Sequence, residues 1–88
     1  ARLRHKVSKL ENMLTAILRG ASDHNVAFSD LRYTLESLGF EVRIKGDLFI
    51  YTKHDVAEII NIQPIGNKAK AYQVKQVRNL ILKYKLSR

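Results

Sequence analysis

Apolar residues along this chain fall first at helical spacing, then at strand spacing, then at helical spacing again. Val7, Leu10, Met13, Leu14, Ile17 and Leu18 share one helical face, which predicts a first helix with Arg19 in its last turn and Gly20 as its stop. Residues 21–27 form a polar link. A second helix is predicted from Phe28, with Ser29 as its N-cap, Asp30 in its first turn and Phe28 stapled against Tyr33. Leu31, Leu35 and Leu38 form its inward stripe. Gly39 supplies a left-handed stop, and Phe40 packs back on Leu35.

After Gly39 the period changes to two. Phe40, Val42 and Ile44 alternate with Glu41 and Arg43, the pattern of a half-buried strand. Lys45-Gly46-Asp47 is a turn. Residues 48–52 (LFIYT) make a second strand and residues 56–63 a third, with Lys53-His54-Asp55 between them. Pro64 and Gly66 end the run, and residues 65–70 read as a loop. The last helix is predicted over 71–84, with Val74, Val77, Leu80, Ile81 and Tyr84 turned inward. The predicted fold is an α+β sandwich in α-β-β-β-α order, with an extra N-terminal helix. That core order is the arrangement of double-stranded-RNA-binding domains.

Composition narrows the class. The chain has 88 residues, 45% of them hydrophobic, which fits a single globular domain over 1–88. Within it, residues 1–27 form the extra helix and link, and 28–88 the core. There is no cysteine, hence no disulfide or thiolate metal site. The N-terminal ARLRHKVSKL has no apolar signal core and no stretch reaches membrane-span length, so a soluble cytoplasmic protein is expected.

Charge is the sharper signal. The net charge is +8, and all eight acids lie between Glu11 and Glu58. From Ile59 to Arg88 there are seven bases and no acid: Lys68, Lys70, Lys75, Arg78, Lys83, Lys85 and Arg88. A one-sign block with helical periodicity points to a polyanion, above all nucleic acid. Lys68 and Lys70 precede the last helix, where unpaired N–H groups and the helix dipole favour phosphate. Lys75 is expected on the same exposed face. Lys45 stands in the hairpin beside Gly46, and Arg43 near it on an exposed strand face. Arg78 pairs either with a sheet carboxylate or with an acidic partner residue. Lys83, Lys85 and Arg88 answer the helix dipole. Tyr51 and Tyr72 are candidates for base stacking, with at least one expected in the core. Arg2, Arg4, Lys6 and Lys9 form a second basic cluster, either a solvated end or an auxiliary contact.

Catalytic and metal motifs are sparse. His5, His24 and His54 are dispersed without ligand-spaced neighbours. Ser22-Asp23-His24 has triad residue types, but consecutive loop residues do not form a triad. Asp47 and Asp55 flank the second strand, where turn formation explains both better than a shared metal. No metal or cofactor is expected.

The run Leu35–Leu86 carries a more specific resemblance. Its pieces LESLGFEVRIKGD, FIYTK and INIQPIGNKAKAYQVKQVRNLILKYKL resemble the toxin of the HicA–HicB toxin–antitoxin family. Residues 1–27 resemble the added N-terminal helix of longer members. The resemblance implies a metal-independent endoribonuclease that cuts mRNA and is neutralised by a HicB-type antitoxin. Members carry a histidine just after the first hairpin, in a Gly-Ser-His or Gly-Asp-His sequence. Here Gly46-Asp47 is followed by Leu48. Ala71 stands where members commonly have proline, a mild change at the first turn of a helix.

Leu48 alters the expected chemistry. Metal-free RNA cleavage needs a group that moves a proton near neutral pH, and histidine suits it with a pKa of about 6.5. Leucine has no proton to move. The chain is therefore expected to bind RNA and cut it poorly. Three functions fit the sequence: a toxin disabled at Leu48, an RNA-binding module that never cleaved, and a subunit whose basic face docks an acidic protein. For the first, the antitoxin is expected to cover Gly46–Leu48 and the loop from Lys68 to Lys70.

Overall fold

The computed structural model describes residues 8–87 and runs helix, helix, three strands, a small hairpin and a last helix. Helix α1 (Lys9–Arg19) opens at Ser8, whose Oγ accepts the Glu11 N–H at 3.1 Å. The Glu11 carboxylate accepts the Ser8 N–H in return at 2.9 Å. This capping box satisfies two of the helix's orphan donors. The helix stops at Gly20, with φ 66°. A Cβ there would also meet Arg78 Nη1 at 3.0 Å, so glycine serves both the turn and the close approach.

Helix α2 (Phe28–Ser37) is capped differently from the sequence expectation. Its N-cap is Ala27, not Ser29. The Phe28 N–H donates to the Asn67 carbonyl at 2.9 Å, and the Val26 carbonyl accepts the Ala69 N–H at 2.9 Å. Backbone pairing to a distant segment thus sets the start of α2, overriding the local side-chain cap. Phe28 does not staple to Tyr33. Its ring meets Phe49 edge-on at 5.1 Å, while Lys9 Nζ lies 4.4 Å over the Tyr33 ring. The C-terminal end follows expectation. Gly39 takes φ 97°, its N–H donates to Glu36 O, and the Phe40 N–H donates to Leu35 O, both at 3.1 Å.

Strands β1 (Glu41–Lys45), β2 (Leu48–Lys53) and β3 (Val56–Ile62) form an antiparallel meander with β2 at the centre. Val42 pairs with Tyr51 and Ile44 with Phe49; Tyr51 and Phe49 pair in turn with Ile60 and Ile62. Tyr51, Ile60 and Ile62 are buried, with Phe49 packed against them, so this face of the sheet takes the helices. Leu48, Ile50 and Thr52 alternate to the other face. One expectation fails here. Ile44 shares the parity of Val42 yet is 53% exposed, on an edge strand that has a neighbour on one side alone.

A second difference follows Ile62. The expected loop 65–70 is a miniature hairpin, in which β4 (Pro64–Ile65) pairs with β5 (Lys68–Ala69) around Gly66 at φ 61°. Gly66-Asn67 is a two-residue turn, but strands of two residues leave no period to read. Helix α3 (Ala71–Tyr84) then returns across the sheet and buries Gln73, Val74, Val77, Leu80 and Ile81. The result is α+β: helices packed on one face of a three-stranded antiparallel sheet, in an α-β-β-β-α layout preceded by α1. No helix among the described residues is long and apolar enough to cross a membrane.

Two ion pairs close the molecule, and both use bases of the acid-free segment. Arg78 forks onto Asp23 at 2.8 and 3.1 Å and also donates to the Ile17 carbonyl at 3.2 Å. The pair ties α3 to the 3₁₀ turn Asp23–Asn25 and to the end of α1. Its hydrogen bond holds the Asp23 carboxyl below its usual value. Lys83 meets Glu58 on β3 at 2.8 Å, and the Tyr84 hydroxyl donates to the same carboxylate at 2.6 Å.

Those two donors, Lys83 first, hold Glu58 down at about 2, against an ordinary 4.5. A carboxyl depressed on folding stabilises above its unfolded pKa and loses that contribution as pH falls through its folded pKa. Stability should therefore decline from about pH 4.5 toward about pH 2. Urea unfolding across that range should give a shallower decline for Lys83→Met than for the parent chain. Parallel declines would show that Lys83 does not hold Glu58 ionised.

Candidate nucleic-acid interface

The β1–β2 hairpin is closed by two residues, Gly46 and Asp47, with Lys45 and Leu48 paired across its base. Gly46 takes φ 61° at the first central position, where this tight turn needs a residue without a Cβ. Lys45, Gly46 and Asp47 are exposed and Leu48 is half-buried. Leu48 lies on the sheet face away from the helices, between Lys45 on β1 and the end of β3.

Gln63, just past β3, joins this turn to the last helix. Its Nε2 donates to Asp47 Oδ1 at 3.2 Å, and its Oε1 accepts from Lys70 Nζ at 3.5 Å. Lys70 is the N-cap residue of α3. One side-chain amide therefore bridges the Gly46–Leu48 turn and the base that opens α3. Gln63 is itself held by Gln73, which is only 3% exposed. Gln73 Oε1 accepts the Gln63 N–H at 3.3 Å, and Gln73 Nε2 donates to the Asn61 carbonyl at 3.2 Å.

The four lysines expected to hold phosphate separate into two pairs. Lys45 and Lys70 flank the hairpin turn. Lys68 reaches the other way, donating through Nζ to Asn25 Oδ1 in the 3₁₀ turn. Lys75 is exposed and lies toward Asp23, whose carboxyl it helps to hold down. Arg78 and Lys83 are committed to Asp23 and Glu58. Lys85 takes φ 53° as the C-cap of α3. Arg2, Arg4, Lys6, His5 and Arg88 lie outside the described residues.

The two tyrosines divide as well. Tyr51 is fully buried; its hydroxyl donates to Glu36 Oε2 at 2.6 Å and accepts from Arg32 Nε at 3.1 Å. Tyr72, in the first turn of α3, is 65% exposed and available for stacking.

His54 lies far from Leu48, and Asp47 far from Asp55. His54 sits in the turn after β2, at the opposite end of that strand from Leu48. Six residues of extended chain separate them by roughly 20 Å. Asp47 and Asp55 stand at the same two ends and do not share a site; Asp55 accepts from Lys53 Nζ at 2.9 Å. His24 is exposed in the 3₁₀ turn. No group of three or more His, Cys, Asp or Glu that suits a metal ion occurs among the described residues.

Sequence reasoning missed Gln63. It follows the alternation of Asn61 on the outer parity of β3, and a polar residue there reads as solvated. Its link to Lys70 needs the β4–β5 hairpin, which folds the chain back within seven residues. Comparison with protein-family models, with curated proteins and with solved structures finds no match for this chain.

Burial, with the Glu36 hydrogen bond second, pushes the Tyr51 hydroxyl up to about 12 from 10.0. A group raised on folding stabilises fully below its unfolded value and loses that contribution as pH rises through its folded one. Spectrophotometric titration of the four tyrosines should therefore show one late ionisation near pH 12, absent in Tyr51→Phe. A late step that survives that substitution would contradict the assignment.

Proposed function

We propose that this chain is an RNA-binding domain of the double-stranded-RNA-binding layout, serving as the toxin of a HicA–HicB-type pair. In this reading its RNA cleavage is impaired by Leu48, and a HicB-type antitoxin neutralises it. The observation that carries the reading is the Gln63 bridge. It links Asp47 of the hairpin turn to Lys70 at the start of α3, so that a base lies two hydrogen bonds from the turn that carries position 48. The wording of Leu35–Leu86 supports the family assignment, and the net charge of +8 supports a polyanionic substrate.

On that surface Lys45 and Lys70 take the phosphates, and position 48 faces the 2′-hydroxyl and the leaving oxygen. Phosphate contacts hold the strand in place without reading its sequence. A histidine at 48 would take the 2′-hydroxyl proton or return one to the leaving oxygen. Leucine does neither. The chain then binds without efficient turnover. Masking follows from the same geometry: a protein covering the hairpin turn and Lys70 blocks both strand binding and access to position 48.

Two measurements test this reading. Lys45→Ala and Lys70→Ala should each weaken RNA binding and reduce its salt dependence by about one unit of slope. Lys83→Ala should leave both unchanged, because Glu58 already occupies that base. Equal losses in all three would mean that only net charge matters. Separately, Leu48→His should raise RNA cleavage on the order of 100- to 10,000-fold. Equal, undetectable cleavage by both chains would remove the catalytic claim and leave a non-catalytic RNA-binding module.

A further inference from the structure

The two edges of the sheet are finished differently. Three outward backbone groups at the β3 edge are taken by side chains of α3. The Ala57 N–H donates to the Tyr84 hydroxyl at 3.3 Å. Gln73 takes the Asn61 carbonyl and the Gln63 N–H. The β1 edge has no such cover among the described residues. The two-residue loop makes Lys45 and Leu48 a hydrogen-bonded pair, so Arg43 also bonds inward to β2. Val42 and Ile44 therefore aim their N–H and C=O groups away from the sheet. Ile44 is also 53% exposed there.

The side chains of this edge complement themselves. β1 reads Glu41-Val42-Arg43-Ile44-Lys45, and none of its three charged groups has an ion-pair partner among the described residues. An antiparallel two-fold centred on Arg43 places Glu41 opposite Lys45 of a second copy, twice. It also places Val42 opposite Ile44, twice, in register with the outward N–H and C=O groups. Opposite charges and β-branched pairs directly across a strand pair are favourable. The two arginines at the centre oppose each other and limit the strength.

We propose that the β1 edge pairs with β1 of a second copy of this chain, joining two three-stranded sheets into one of six strands. The symmetry is isologous, so the assembly closes as a dimer. A five-residue strand pair is a small interface, and the association is weak and concentration-dependent. The pairing stands independently of the RNA reading, although it would set Glu41 of the second copy beside Lys45.

Sedimentation velocity on the full chain, from about 10 µM to about 1 mM, reads the association directly. A dimer is expected to grow in over that range. Ile44→Pro should abolish it, since proline removes an outward N–H that an edge strand does not use in its own fold. Its thermal melt should stay cooperative. Glu41→Lys and Lys45→Glu should each weaken the dimer, and the double variant should restore it. These charge variants sit on an exposed surface and keep the test open should the proline variant unfold. A parent chain monomeric throughout the range overturns the proposal. So does a dimer that persists in Ile44→Pro or in both single charge variants, or a double variant that remains monomeric.

Discussion

One buried amide fixes the geometry on which the rest depends. Gln73 sits in the first turn of α3 among apolar neighbours, and its two polar ends are both spent on the backbone around Gln63. Leaving such a group unpaired would cost about 1–3 kcal/mol, so the amide docks only in this register. It locks the start of α3 against the end of β3. Gln63 is held there in turn, and its own amide reaches both Asp47 and Lys70. The proposed surface is thus a consequence of core packing, two hydrogen-bonded steps removed from it.

The same logic divides the basic half of the chain. Seven bases and no acid after Ile59 suggest a uniform electropositive face. Folding brings the acids back. Asp23 returns from the link after α1 to take Arg78, and Glu58 from β3 takes Lys83. These pairs fasten α3 at its middle and its end. The bases left without an ion pair among the described residues include Lys70 and Lys75 at the start of α3 and Arg43 and Lys45 of the first hairpin. Linear charge asymmetry overstated how many of those bases are unpaired, since Arg78 and Lys83 take acids from outside the block.

The element order was readable because periodicity is a local property. Gly20 and Gly39 marked two helix ends, and the change of period after Gly39 marked the sheet. What escaped the sequence depends on distant partners. Ser29 is the better N-cap by local chemistry, yet Ala27 holds the position because residues 26–28 pair with residues 67–69. Ile44 follows the inward parity, yet it is exposed on an edge strand. Gln63 has no motif at all, and its role exists only once a two-residue hairpin returns the chain to Lys70. At Leu48 the expectation rests on a resemblance in the neighbouring residues, and His54 stands at the opposite end of β2 from it.

The central claim is that the Gly46–Leu48 turn and the start of α3 form one RNA-binding surface. Titrating a short RNA into isotope-labelled protein, followed by amide NMR, tests it most directly. The account predicts that residues 45–48, Gln63 and residues 70–72 shift together, along a single binding curve, while residues around Lys83 stay fixed. Shifts confined to the helix ends or to the Asp23–Asn25 turn, with the hairpin silent, would contradict it.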